Sequence, residues 1–272
     1  MQIYFFIISA LLYGGCACLP ASKRRLISVG IGLGWVLHGL ALWADIVAPE
    51  ALRLGFAMML SAAMWVSVAA YWIENQNESL DSLRLLVLPV AAITVLLPIA
   101  FPGSVVAMEG KSILFPWHVA IATLAYSTLT IAAFHAVLMA LQESKLHTRR
   151  SGAAQPEQSW FTAAIDRLPA LLTMERLLFR LIVIGFVLLT LTVLSGVIFS
   201  EQLFGRPLKW DHKTIFTLLS WIVFGVLLAG RYWRGWRGKT ALSFTLTGFV
   251  TLLLAYVGSR FVLEVVLHRG LA

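Results

Sequence analysis

The feature that most constrains this chain is a series of long apolar runs separated by short polar segments. A helix of about 20 apolar residues is long enough to cross the hydrocarbon core of a bilayer. The chain is 60% hydrophobic and 12% charged, whereas a soluble domain carries about 25% charged residues. We therefore predict an all-α, polytopic membrane protein with eight transmembrane helices in a single membrane domain over residues 1–272. The predicted spans lie near residues 3–19, 26–43, 52–73, 83–101, 114–141, 177–199, 213–233 and 241–265.

The basic residues of the loops predict the orientation of these spans. Of the 21 Lys and Arg residues, two-thirds fall in the loops on one side of the predicted bundle. Because short cytoplasmic loops carry an excess of Lys and Arg, we expect that side to be cytoplasmic and both termini to be external, facing the periplasm. The run 3–19 is expected to be a retained first helix, since the basic residues 23–25 follow it rather than precede it as in a signal peptide.

The longest predicted loop, residues 142–176, lies on the cytoplasmic side. Leucines recur at helical spacing in its second half and into the sixth span. This pattern predicts a short amphipathic helix that lies on the inner leaflet before the sixth span. The leucines are Leu168, Leu171, Leu172, Leu177 and Leu178.

Polar and aromatic side chains cluster at the start of the seventh predicted span, in the stretch Lys209-Trp210-Asp211-His212-Lys213. Titratable groups at the entry to a bilayer are costly to dehydrate, so they are usually satisfied, solvated or functional. We interpret this helix start as part of an outward-facing site for a flat, anionic, metal-bearing ligand, with haem as the favoured candidate. Arg206, Lys209 and Lys213 could meet haem propionates, pair with Glu201 and Asp211, or contact lipid headgroups.

Four of the six histidines fall toward the predicted outer leaflet. His118 lies in the first turn of the fifth span, His212 at the start of the seventh and His268 at the end of the eighth, while His38 lies in the outer half of the second. Axial ligation of haem iron needs two histidines that approach from opposite faces. We predict His118 and His268 as the metal ligands, and Trp210, Asp211, His212 and His38 as further cofactor-binding residues.

Other interpretations of these histidines stay open. A single histidine at a helix end is commonly an interfacial anchor or a hydrogen-bonding group, and His38 could be a core residue. His135 lies 17 residues beyond His118, roughly 25 Å deeper in a helix, so the two cannot share an iron. A zinc site is not favoured, because no cysteine or carboxylate lies at ligand spacing.

Three segments resemble cytochrome c assembly proteins of the CcsA/ResC/CcmC type. Residues 209–231 are similar to the Trp-Asp-Pro-Lys-Glu-Thr-Trp segment of that family and its following helix. Phe115-Pro116-Trp117-His118-Val119 is similar to the helix that opens with an external histidine ligand. Tyr256-Val257-Gly258-Ser259-Arg260, running on to His268, is similar to the last helix. The resemblance is strongest over residues 112–268 and nearest to the HemX/YpjD-like branch.

The resemblance implies haem binding, with handling or presentation of haem at the outer face of the bacterial inner membrane for cytochrome maturation. His118 and His268 would be axial ligands, and Trp210 and Asp211 would belong to the haem-facing loop. The chain departs from the family pattern in three ways: the Trp-rich loop is reduced to Trp210 and Asp211, His212 stands where proline is usual, and the membrane histidine before Arg231 is missing.

These departures leave an alternative function open. The chain could be an accessory or regulatory subunit of another membrane protein, such as an ion transporter or a haem-synthesis enzyme, without haem transfer. The sequence has no nucleophile–base pair, phosphate-binding glycine loop or carboxylate dyad, so we do not expect an enzyme. The expected partners are haem, the lipid bilayer and possible membrane proteins, and not nucleic acid, because the positive charge lies in separate short loops.

Overall fold

The computed structural model describes residues 2–48, 51–77, 81–107, 115–150, 170–204 and 210–258, together with residues 109, 168 and 261. Within these ranges the protein is a bundle of helices with one small sheet. The helices are α1 Gln2–Cys18, α2 Arg24–Ile46, α3 Phe56–Asn77, α4 Asp81–Thr94, α5 Leu97–Ala100, α6 Phe115–Arg150, α7 Leu171–Phe204, α8 His212–Arg234 and α9 Gly238–Leu253. A 3₁₀ turn, Ala21–Lys23, precedes α2, and a π-helical turn, Leu254–Gly258, continues α9.

Seven helical segments of the described chain are long and apolar enough to cross a membrane. They correspond to the second to eighth predicted spans, so the prediction of a polytopic helical membrane protein is confirmed. The first predicted span corresponds to a shorter apolar helix, Ile3–Cys18. The seven segments are Ala21–Ile46, Phe56–Ile73, Leu83–Ala100, Phe115–Lys145, Leu171–Ile198, His212–Arg234 and Gly238–Gly258.

A three-stranded antiparallel sheet, which we did not predict, closes one end of the bundle. Its strands are β1 Val47–Ala48, β2 Ala51–Leu54 and β3 Ser104–Ala107, in the order β1-β2-β3. Leu52 of β2 lies opposite Val47 on one side and Val106 on the other. The sheet therefore ties the connection between α2 and α3 to the chain that leads into α6. We call this the sheet end of the bundle.

The sheet corrects the predicted start of the third span, because β2 occupies residues that hydropathy assigns to that span. Short strands that are rich in Leu, Val and Ala raise the local hydropathy as a helix would. The chain bends sharply before β3 at Gly103, which has a φ of 73°. A Cβ at this position would lie 2.7 Å from the carbonyl oxygen of Leu54, so both the backbone conformation and the close approach require glycine.

The leucine pattern that predicts a surface helix before the sixth span falls, from Leu171 onward, in the first turns of a longer helix; its position on the inner leaflet stays a prediction. Leu171, Leu172, Leu177 and Leu178 lie in the first turns of α7, which runs without a break to Phe204. Leu178 is buried in the core and Leu171 packs against it, whereas Leu177 is half-buried and Leu172 is exposed. The amphipathic pattern thus marks the buried and exposed sides of one long helix. Residues 142–150 of the predicted loop belong to α6, and residues 151–167 lie outside the described residues.

The opposite end of the bundle is held by charged side chains. An Arg231 Nη1 atom lies 2.7 Å from Oε1 of the buried Glu175, and Arg237 Nε lies 3.6 Å from the same oxygen. The Arg231 guanidinium also lies over the ring of Phe179, 4.5 Å from its centroid. Direct pairing of this kind offsets the free-energy cost of burying a carboxylate. This network joins α7, α8 and the start of α9 at the end away from the sheet.

Candidate functional site

The described candidate site begins with His118 in the first turn of α6. Its half-buried ring faces α7, where Nδ1 lies 2.7 Å from Oγ of Ser195. Pro116 stands just before it in the same turn, where a missing N–H costs the helix little. The contact spans 77 residues of sequence and fixes the first turn of α6 against the last part of the membrane-spanning segment of α7.

A lysine and two tyrosines form a second group of contacts, between α6, α8 and the π-helical turn. Lys213, in the first turn of α8, lies with its Nζ 5.3 Å from the ring centroid of Tyr256. That ring meets Tyr126 of α6 edge-on, with centroids 6.1 Å apart. Lys213 also lies near His118. We call His118, Ser195, Lys213 and Tyr256 the mouth cluster; it brings together α6, α7, α8 and the π-helical turn.

The predicted residues Trp210, Asp211 and His212 lie at the exposed start of α8, next to the mouth cluster in sequence. Asp211 is the N-cap of the helix, and its Oδ1 accepts a hydrogen bond of 2.8 Å from the backbone N–H of Thr214. Trp210 is 72% exposed, and His212 is also exposed. The structure therefore gives Asp211 a local structural role. A role for these three residues in cofactor binding stays a prediction.

His38 has partners from a different part of the bundle. Its fully buried ring places Nε2 2.8 Å from Oγ of Ser61 on α3 and Nδ1 3.4 Å from the hydroxyl of Tyr13 on α1. Both ring nitrogens thus contact protein hydroxyls, and iron ligation would require one of these contacts to be exchanged. Cofactor binding by His38 stays a prediction that this arrangement does not favour.

The predicted partner of His118, His268, lies outside the described residues, as do Arg206 and Lys209. The His118–His268 pair therefore stays a prediction. His135 is fully buried, and its Nδ1 lies 3.0 Å from the carbonyl oxygen of Ile131 one turn earlier. Within the described ranges, no group of three His, Cys, Asp or Glu side chains is placed to hold a metal ion.

Sequence reasoning did not identify Ser195 or the two tyrosines as site residues. The available signal was a hydroxyl inside an otherwise apolar span, in Leu194-Ser195-Gly196. A polar group in a span usually bonds to its own helix or to a neighbour, but sequence does not say which neighbour. The tyrosines gave no separate signal, because aromatic residues are common near membrane boundaries.

Comparison with known proteins identifies the family. The family described as Cytochrome C assembly protein matches residues 33–267, which is most of the chain. The chain belongs to the cytochrome c assembly protein family. The family match begins at residue 33, well before the segment 112–268 on which the resemblance was strongest, and it includes His38, His118 and the start of α8.

Individual family members align with about half of the chain or less. The Inner membrane protein YpjD of Escherichia coli is 34% identical over 149 residues, 55% of this chain and 52% of the relative. Cytochrome c biogenesis protein CcsA of Gloeobacter violaceus is 32% identical over 92 residues, 34% of this chain and 27% of the relative. CcsA of Guillardia theta is 29% identical over 149 residues, 53% of this chain and 50% of the relative. The chain thus spans about half the length of the relatives it matches, or less. The membrane-spanning helices and the YpjD relative place it among multi-pass inner membrane proteins.

Proposed function

We propose that this family member binds haem at the mouth cluster and handles or presents it at the outer face of the membrane for cytochrome c maturation. The observation that carries the proposal is the position of His118: a histidine at a helix start, held by Ser195 and with Lys213 nearby. The name of the CcsA relatives, cytochrome c biogenesis protein, supports the process to which we assign it.

The donor groups of the mouth cluster fit haem in kind. An imidazole supplies an axial ligand to iron, an ammonium pairs with a propionate carboxylate, and tyrosine rings provide apolar surface for a porphyrin edge. We propose His118 and His268 as the axial ligands, with Lys213 near a propionate and with Trp210, Asp211 and His212 on the haem-facing side. Bound iron porphyrin is the cargo, and the chain supplies ligands, orientation and charge rather than bond-making chemistry.

The proposal includes an orientation. We propose that α1 is an eighth span and that both termini are external, so that the sheet end and the mouth cluster face the periplasm. The packing of α1 supports this, because Arg84 at the start of α4 donates to the carbonyl oxygen of Leu19 just beyond α1. The contact places the end of α1 level with the start of α4, as expected for a helix that runs the depth of the bundle.

The test is an absorption spectrum of the detergent-purified chain titrated with haem. We expect the Soret and visible bands of a low-spin, bis-histidine haem, and we expect them to be lost in His118→Ala and in His268→Ala. His147→Ala is the matched control, because His147 lies on α6 far from the mouth cluster along the helix. If the wild-type chain shows no Soret band at saturating haem, the proposed function is wrong.

The second candidate, an accessory subunit without haem transfer, is favoured by one observation. The start of α8 carries a single tryptophan, Trp210, where the family loop is Trp-rich. A stoichiometric membrane partner that co-purifies with the chain, together with unchanged c-type cytochromes in a deletion strain, would support this second function over the first.

A further inference from the structure

We propose that Ser195 is a positioning residue for haem ligation, which holds a proton on Nδ1 of His118 and so directs the lone pair of Nε2 to iron. This inference rests on the proposed function, because it assigns a role toward the same ligand. It differs from that proposal in naming a residue on another helix that acts through His118 without touching haem itself.

The hydrogen bonds of Ser195 decide where the protons lie. Its Oγ is 2.7 Å from the carbonyl oxygen of Leu191 and 3.1 Å from that of Thr192. A carbonyl oxygen can only accept, so the single hydroxyl hydrogen of Ser195 must point to these carbonyls. Two oxygens at 2.7 Å without a hydrogen between them would repel each other, which excludes the opposite arrangement.

The contact between Ser195 and His118 then has one consistent assignment. Because the hydroxyl hydrogen is already used, the 2.7 Å contact between Oγ and Nδ1 needs its hydrogen from the imidazole. His118 therefore donates from Nδ1, and in the neutral ring Nε2 carries the lone pair. A histidine ligand that donates its other ring N–H to an oxygen has a fixed tautomer and a fixed orientation, and it is a more basic ligand.

The neighbouring residue on α7 supports the same positioning. A Cβ built on Gly196 would lie 3.7 Å from Cε1 of His118, so the backbone of α7 runs beside the ring carbon between the two nitrogens. The ring is thus located both by a hydrogen bond and by contact with a residue that has no side chain. The hydroxyl of Thr192 on α7 bonds back to its own helix, whereas, within the described part of the chain, Ser195 is the hydroxyl of α7 that also contacts a histidine.

The experiment compares hydroxyl-bearing and hydroxyl-lacking variants at one position. Ser195→Thr keeps the hydroxyl. Ser195→Val matches the threonine variant in shape but lacks the hydroxyl, and Ser195→Ala removes the hydroxyl without adding bulk. Thr192→Val is the matched control, since Thr192 lies one turn earlier on α7 and its hydroxyl bonds only to the Leu188 carbonyl in this structure. The readouts are the dissociation constant for haem, the midpoint potential and the electron paramagnetic resonance g values of the ferric form.

We expect Ser195→Ala and Ser195→Val to bind haem about 10- to 100-fold more weakly, the usual effect of losing a partner of a ligating histidine. Their midpoint potential should move in the positive direction, because a less basic imidazole stabilises ferric iron less. Ser195→Thr and Thr192→Val should stay near the wild-type values. A packing defect alone would affect Thr and Val variants alike, so their separation reports the hydroxyl.

The outcomes separate this inference from the proposed function. If wild-type protein binds haem and the Val variant matches the Thr variant in affinity, potential and g values, the positioning role of Ser195 is refuted while haem binding stands. If the wild-type protein binds no haem, the proposed function fails first. The fold of each variant is checked by gel filtration in detergent before the comparison.

Discussion

Two histidines of this bundle, His38 and His118, show how the same side chain serves different ends. His38 is fully buried between α1, α2 and α3, with a hydroxyl beside each ring nitrogen. His118 is half-buried at the start of α6, with one nitrogen held by Ser195 and with Lys213 nearby. The first ring is fully buried between three helices, while the second is half-buried at the end of the bundle and contacts Ser195 of a neighbouring helix.

This difference shows how a histidine that packs in the core can be distinguished from a candidate iron ligand. The burial of the ring and its hydrogen-bond partners separate the two cases, whereas the residue type does not. A buried polar ring in a membrane protein must have its hydrogen bonds supplied by neighbouring helices. Tyr13 and Ser61 do this for His38. At the mouth cluster, one such bond orients the ring and leaves its other nitrogen directed away from Ser195.

The strongest test of the comparison is a crossed pair of variants. His118→Ala should abolish the bis-histidine haem spectrum, whereas His38→Ala should retain it, because His38 is engaged by Tyr13 and Ser61. Absorption spectroscopy of both purified variants at saturating haem measures this. If His38→Ala also loses the Soret band while remaining folded, the separation of the two histidines is wrong.

The same His38→Ala change should lower stability far more than His118→Ala. Removing a fully buried ring leaves a cavity and two hydroxyls without their partner, at a cost of about 3 kcal/mol. The free energy of unfolding can be measured by titrating SDS into detergent micelles. An equal loss of stability in the two variants would contradict the assignment of His38 to packing.

A smaller loss of stability is expected when Ser61, the nearest hydrogen-bond partner of His38, is changed. Ser61→Ala leaves the buried Nε2 of His38 without its 2.8 Å contact, which should cost about 1–2 kcal/mol in the unfolding free energy. Ser9→Ala is the control, because the Ser9 hydroxyl is buried and has no hydrogen-bond partner among the described residues. We expect Ser9→Ala to be neutral or slightly stabilising; a loss as large as that in Ser61→Ala would show that packing, not the bond, sets the cost.

The smallest loss of stability is expected from changes to the N-cap of α8, beside the mouth cluster. Asp211→Ala removes the N-cap of the helix and should cost about 1 kcal/mol. Asp211→Asn should restore most of this stability, because asparagine caps about as well as aspartate. The same unfolding titration measures both. If the Asn variant is as unstable as the Ala variant, charge rather than capping is the contribution of Asp211.

The sequence predicted the spans well because bilayer-crossing helices must be long and apolar. The seven spanning segments fall close to the predicted second to eighth runs. The sheet escaped prediction because its strands contain at most four residues each, and because β2 lies at the start of the apolar run that hydropathy assigns to the third span. We did not predict that α7 begins as early as Leu171. Leucines on one face of a helix fit a helix on the membrane surface and a helix packed in a bundle equally well.

The candidate site was predictable in its residue types but not in its partners. The position of His118 followed from the apolar run that it opens, and the resemblance to the cytochrome c assembly family marked it as a ligand. Ser195, 77 residues away, could not be paired with it without knowing how α6 and α7 are aligned. The partners of His38 were hidden for the same reason, since they come from two other helices.

The ion pair of Glu175 with Arg231 has a mechanical consequence for the far end of the same two helices. It joins α7 to α8 some 20 residues from Ser195, about 30 Å away at 1.5 Å per residue. The same two helices are joined again nearer to Ser195, where Trp221 of α8 donates to the Thr190 hydroxyl of α7 and stacks on Phe186. Because α7 is fixed to α8 at two levels, the segment that carries Ser195 has little freedom to tilt, and the ring of His118 shares that rigidity.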